Sequence, residues 1–147
     1  MLAEILVDSV DQAPDIPHGF SKERIISWLN SVAESEKKKI ESIQYVFCDD
    51  QYLYDLNRTY LQHETLTDII TFPYGTNPII AEIYISLERV IENANTYGDG
   101  DQLQELCRVM VHGLLHMCGY EDHSAADKSK MRILESSYLD ELQKQNH

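Results

Sequence analysis

Apolar and polar positions along this chain follow two periods, and the switches between them outline a small α/β domain. Residues 2 to 10 are apolar enough for a strand, after which Pro14 and Pro17 break the chain before Ser21, a residue suited to cap a helix. Ile25, Trp28, Leu29 and Val32 then recur at helical spacing, which gives that helix one buried face with Lys and Glu on the other. Ile43, Tyr45 and Phe47 alternate with polar neighbours as a strand does, and Asp49 or Asp50 caps a helix running to about Leu61. A short strand is expected over Asp68 to Phe72, a turn around Pro73, Gly75 and Pro78, and the clearest strand of all over Ile79 to Ser86. Ser86 caps the next helix, and Asn95 to Asp101 is the most loop-like stretch. Two long helices finish the chain. One runs from about Asp101 to Cys118 with Leu103, Leu106, Met110 and Leu114 inward, and the other starts near Ser124 with Met131, Leu134, Tyr138 and Leu142 inward. No repeat, low-complexity tract or linker divides the chain, so residues 1–147 are expected to form one α/β domain, a mixed sheet of about four strands packed with about five helices.

The chemistry concentrates in one segment, VHGLLHMCGYEDHS, residues 111–124. Side chains at i and i+4 of an α-helix differ by about 40° around the axis, so His112 and His116 project from one face and can chelate one ion. Gly119 is suited to stop the helix in the left-handed conformation and send the chain back with a third ligand. Three protein ligands leave a position for water, as catalytic zinc sites do and closed four-ligand sites do not. The third ligand is Asp122 or His123. Asp122 stands ten residues after the first histidine, where helical zinc hydrolases of the HExxHxxGxxH type place theirs, whereas imidazole is the commoner ligand and favours His123. Two histidines and a carboxylate would also suit non-haem iron. Metalloproteases with an HExxH helix use the Glu beside the first histidine as general base; here Gly113 holds that place, which argues against ordinary proteolysis.

Three blocks resemble the YbeY endoribonucleases, bacterial metal-dependent factors in ribosomal RNA maturation. LNRTYLQHETLTDIITFPY, residues 56–74, is similar to that family's LNxxY segment leading into Thr-Asp and Phe-Pro; AEIYISLERVIENA, residues 81–94, to its Gly-Asp-Ile-x-Ile-Ser strand and helix; and the histidine segment to its HGxLHLxGYDH. The resemblance implies that His112 and His116 are the first two zinc ligands and puts Asp122 at the third, since Met131 and Glu135 keep the family's spacing without a gap that could slide His123 into place. It implies one divalent ion per chain, zinc being expected, on the helix and the loop after it. It further implies a single-strand-acting endoribonuclease in ribosomal RNA processing and ribosome quality control, in which a metal-activated water hydrolyses the phosphodiester. The partners implied are ribosomal RNA precursor and the ribosome or its small subunit, with no DNA and no membrane. This chain departs from the family at Leu61, where an Arg is common; Arg58, one helical turn earlier, is the candidate replacement, although by itself it reads as a solvated arginine. Ala81 and Glu82 stand in place of Gly-Asp. Glu82, Glu121 and Asp68 are unranked candidates for a proton acceptor, and Tyr60 and Tyr120, both in these blocks, are candidates to stack on bases. The competing readings are a metal-dependent hydrolase of peptides or small molecules, and a non-catalytic ribosome-associated factor with a structural metal.

Composition adds two constraints. No stretch approaches the ~20 apolar residues of a membrane span and MLAEILVDSV lacks a basic n-region, so a cytoplasmic protein is expected, in keeping with the unpaired spacing of Cys48, Cys107 and Cys118. Cys118 lies about 240° around the helix from His112 and reads as a core residue. The net charge of −13 opposes binding of a polyanion unless cations gather locally. Lys37 to Lys39, Arg108, and Lys128, Lys130 and Arg132 are the places where they could, and a bound divalent cation would add charge of its own.

Overall fold

A computed structural model describes residues 4–61 and 67–145, so the start of the first expected strand and residues 62–66 of the first family-like block lie outside the described residues. The chain runs β1 (Glu4–Ser9), α1 (Lys22–Ser35), β2 (Ile40–Cys48), α2 (Asp50–Tyr60), β3 (Ile69–Thr76), β4 (Ile79–Ser86), α3 (Leu87–Thr96), α4 (Gln102–Met117) and α5 (Ala125–Lys144). The strands form one sheet in the order β1-β2-β4-β3, parallel between β1 and β2 and between β2 and β4, antiparallel between β4 and β3. This is the expected mixed sheet with five helices, and the caps are those the residue types predict. Ser21, Ser86 and Asp101 each accept from a backbone N–H three residues on, Asp49 does so for α2, and Ser124 with Asp127 forms a capping box at α5.

Strand alternation sorts the sheet's two faces. Ile5, Val7, Ile43, Tyr45, Phe47, Ala81, Ile83 and Ile85 point to the main core, which α1, α3, α4 and α5 cover, while Cys48, Leu53 and Ile70 form a smaller cluster beneath α2 with Phe72 and Tyr84 against it. Two buried polar groups tie helices into that core without leaving an orphan: the Tyr45 hydroxyl donates to the Met110 carbonyl at 2.9 Å, and Trp28 Nε1 donates to the Tyr138 carbonyl at 2.8 Å. Burial pushes the Tyr45 phenol far up from its ordinary value, so it stays a donor. Cys118 packs half-buried against the core, as its helical angle predicts.

One expectation fails. Pro73 and Gly75, predicted in a turn, lie inside β3, which runs on to Thr76 with an irregular register between them. The physical reason is position: β3 is an edge strand, where a residue without an N–H is tolerated and a bulge absorbs the misfit. The turn itself narrows to Asn77 and Pro78.

Gly113 explains how α4 reaches the sheet. A Cβ there would stand 3.0 Å from Ile69 Cδ1 and 3.2 Å from Ile83 Cδ1, so the helix lies so close to β3 and β4 that any larger residue would push these isoleucine side chains aside. The position that carries the general base in HExxH proteases is here turned into the sheet. Gly113→Val should destabilise the protein by about 1–3 kcal/mol through overpacking. Urea unfolding checks this, and a midpoint equal to wild type would mean that α4 has room to move away.

Candidate metal centre

α4 presents His112 and His116 on one face, their Nε2 atoms 3.0 Å apart. Past the helix, Gly119 has φ +108°, and the amides of Gly119 and Tyr120 donate to the carbonyls of His116 and Leu115, which closes the helix and reverses the chain. The reversal brings Asp122 Oδ2 to 3.8 Å from His112 Nε2. One donor atom from each of His112, His116 and Asp122 lies within 4.8 Å of the others, a group among the described residues that could hold a metal ion. His123, the alternative, is exposed and outside that group.

The outer hydrogen bonds fix the imidazoles. His112 Nδ1 donates to Glu135 Oε2 at 2.6 Å, and His116 Nδ1 donates to the Tyr120 carbonyl at 2.9 Å. Each neutral ring is thereby held in the tautomer whose Nε2 carries a lone pair. Two such lone pairs 3.0 Å apart repel unless a proton or a cation stands between them. Two of the separations, 3.0 and 3.8 Å, bracket the ~3.3 Å between tetrahedral donors at zinc bond lengths, and with all three donors within 4.8 Å of one another the residue types fit a three-ligand ion. The ionisation equilibria follow the same geometry. Burial draws His112 down, but the hydrogen bond and charge of Glu135, with Asp122 and Asp68 beyond, outweigh it and raise its pKa above the ordinary value. His116 is lowered by burial and by the charge on His112.

His112 opens into a cleft of about 340 Å³ lined also by Asp68, Arg108, Asp122, Lys128, Arg132 and Glu135 among others, and a second cleft of about 530 Å³ shares its Asp68, Arg108 and Arg132 wall. Arg108 reaches Glu135 at 3.2 Å and Glu105 at 3.8 Å. Burial raises the Asp68 carboxyl above its ordinary value. Of the other acceptor candidates, Glu82 takes a hydrogen bond from Tyr74 on the far face of the sheet, and Glu121 is exposed and lines neither cleft.

Several candidates fall elsewhere. Arg58 is exposed on α2, 3.7 Å from Asp55, and lines neither cleft. Tyr60 is 66% exposed, with its ring edge-on to Phe72. Tyr120 is engaged at both its hydroxyl, which donates to Glu36, and its ring, over which Lys130 sits at 5.3 Å. Sequence reasoning gave Glu135 no role beyond its spacing, yet it is 5% exposed and hydrogen-bonded to His112. The available signal was an acid one turn after Met131 on the otherwise apolar inner face of α5.

Comparison with known proteins meets this geometry. The family model described as "Endoribonuclease YbeY" matches residues 8–143. A Flavobacterium psychrophilum protein named "Endoribonuclease YbeY" is 50% identical over 115 residues, 78% of this chain and 81% of that one. Its Flavobacterium johnsoniae namesake is 46% identical over 120 residues, 81% and 86% of the two chains. The solution structure of a Thermotoga maritima protein shares the fold with a TM-score of 0.65 at 24% identity, over 94% of this chain and 88% of that one. A match that runs from the second half of β1 into the last turn of α5, through the helix that carries both histidines, leaves one assignment: the chain belongs to the YbeY family.

Proposed function

We propose that this chain is a zinc-dependent endoribonuclease that cuts single-stranded RNA, with ribosomal RNA precursor as substrate and the ribosome or its small subunit as partner in the cytoplasm. Residues 1–147 act in this reading as one such domain. The observation that carries it is the pair of Nε2 atoms 3.0 Å apart with Asp122 beside them, where His112 and Asp122 line an open cleft that Arg108, Lys128 and Arg132 also line. The names of the relatives supply the reaction class and RNA as substrate.

His112, His116 and Asp122 hold the ion, and Glu135 and the Tyr120 carbonyl hold the two imidazoles behind them. The chemistry such an ion supplies is polarisation of a phosphoryl oxygen and a lowered pKa for water. Arg132 and Lys128, one turn apart on α5, grip the phosphates that flank the scissile bond. Asp68 lines the cleft beside His112, and its burial-raised proton affinity suits it to take the proton from the attacking water as the phosphorus–oxygen bond to the leaving ribose breaks and the ribose oxygen takes a proton from solvent. No helix among the described residues is long and apolar enough to cross a membrane.

Elemental analysis of protein purified without added metal, with cleavage of a single-stranded RNA, is the test. Wild type and His123→Ala should carry near-stoichiometric zinc and cleave, while His112→Ala, His116→Ala and Asp122→Ala should lose both; zinc retained in Asp122→Ala but lost in His123→Ala would move the third ligand. Turnover of peptides but not of RNA by the zinc-loaded protein would overturn the nuclease reading altogether. Glu135→Ala should weaken zinc binding by about 10–100-fold in a chelator competition, as loss of a carboxylate behind a ligating histidine does. Asp68→Asn should keep its zinc and lower kcat by about 10²-fold; an unchanged kcat would leave proton acceptance to solvent.

A further inference from the structure

Glu36 caps the C-terminal end of α1 and accepts hydrogen bonds from two phenols, Tyr120 at 2.7 Å and Tyr138, residues 84 and 102 positions away in the chain. One half-buried carboxylate thus joins the end of α1, the turn after α4 and the middle of α5. Both phenols are the donors, since a carboxylate oxygen can only accept.

What lies behind the two rings differs. The Tyr138 carbonyl accepts from Trp28 and belongs to the core. The Tyr120 carbonyl accepts from His116 Nδ1 at 2.9 Å. Tyr120 follows the left-handed Gly119, so no helix continues past it to orient its peptide; its amide bond to Leu115, its hydroxyl on Glu36 and its ring beneath Lys130 hold it instead. Asp122 stands two residues further on, so the same anchor sets the start of the segment that returns the third donor.

We infer that Glu36 is a positioning residue of the metal centre: by holding the Tyr120 hydroxyl it fixes the carbonyl that keeps His116 in the tautomer whose Nε2 faces His112. The inference rests on the metal reading above. Glu36 lines neither cleft and reaches the site only through Tyr120.

The shared carboxylate supplies its own control. Tyr120→Phe, Glu36→Ala and Tyr138→Phe are compared by zinc dissociation constant in a chelator competition, by imidazole 15N shifts of His116 in metal-free protein, and by thermal unfolding. Tyr120→Phe and Glu36→Ala should each weaken zinc binding roughly tenfold and mix the His116 tautomers, and the double variant should bind no worse than the weaker single one, because both act through one bond. Tyr138→Phe should lower the unfolding midpoint and leave the zinc constant and the His116 shifts at their wild-type values. Wild-type zinc binding and wild-type shifts in Tyr120→Phe would overturn the inference, as would a Tyr138→Phe variant that disturbs both as much, since Glu36 would then act on the fold alone. If the wild type binds no zinc, the metal reading fails, and with it the role of Glu36 in that centre, whatever the His116 shifts show.

Discussion

The centre depends on a buried charge. Glu135 is 5% exposed on α5, and a carboxylate withdrawn from water to that degree is tolerated only when its oxygens are well paired. Here Oε1 meets Arg108 at 3.2 Å and Oε2 meets His112 at 2.6 Å, both on α4 and one turn apart. The pairing works in both directions. The helix that carries the histidines compensates the acid, and the acid selects which nitrogen of His112 faces the cleft. For that to hold, α5 must lie at a fixed height along α4. Long-range bonds from α1 set that height: Arg24 donates to the Leu142 carbonyl at 2.7 Å and Trp28 to that of Tyr138 at 2.8 Å.

On its opposite side α4 is positioned by an absence of side chain. Gly113 admits Ile69 and Ile83 to a distance that a Cβ would crowd, and the helix settles on β3 and β4 with its histidines turned toward α5 and the returning loop. Two constraints on neighbouring residues, a carboxylate behind His112 and a bare backbone at Gly113, fix both the roll of the helix and its depth. A glutamate at 113 would be driven into the sheet. The geometry therefore turns away the position by which a zincin activates its water, and the proposed proton acceptor, Asp68, stands on another element, just before β3.

Local periodicity made most of the frame legible. The stripe Ile25, Trp28, Leu29, Val32 and the alternation Ile43, Tyr45, Phe47 are both buried as their spacing requires, and the helix N-caps among the described residues all fall on Ser or Asp. What escaped depends on tertiary position. Pro73 and Gly75 read as turn residues because their tolerance in a strand depends on being at an edge, which is a property of sheet order and not of the local sequence. Glu36 and Glu135 are ordinary acids in a chain with 25 of them; only contacts across 84 and 23 residues distinguish them. Arg58 had a helical-turn argument in its favour, but α2 covers the other face of the sheet from the histidines, so proximity along the chain did not become proximity in space. The pairing of His112 with His116 was legible because one helix carries both, and Asp122 was legible only as one of two choices until the turn at Gly119 set its direction.

The same geometry answers the objection that a chain of net charge −13 should repel RNA. The cleft at His112 is lined by three cations, Arg108, Lys128 and Arg132, against four carboxylates, Asp68, Glu105, Asp122 and Glu135. Its formal charge is slightly negative without a metal and turns positive with a divalent ion on the triad. The carboxylates are also unequal. Glu135 is shielded by Arg108 and His112, and burial shifts Asp68 and Glu105 toward their neutral forms, whereas Lys128 and Arg132 stand exposed at the rim. A phosphate approaching from solvent meets the cations first and the paired acids last. Within a few ångströms, where the phosphodiester would sit, the sign of the field is set by the ion and two side chains of α5 rather than by the whole chain, whose remaining acids are screened over a Debye length of about 8 Å at physiological ionic strength. Local binding is thereby compatible with an acidic surface, and an RNA would gain little from contacts far from the cleft. In the proposed function the ribosome would supply what the surface lacks, by bringing long substrates to the cleft.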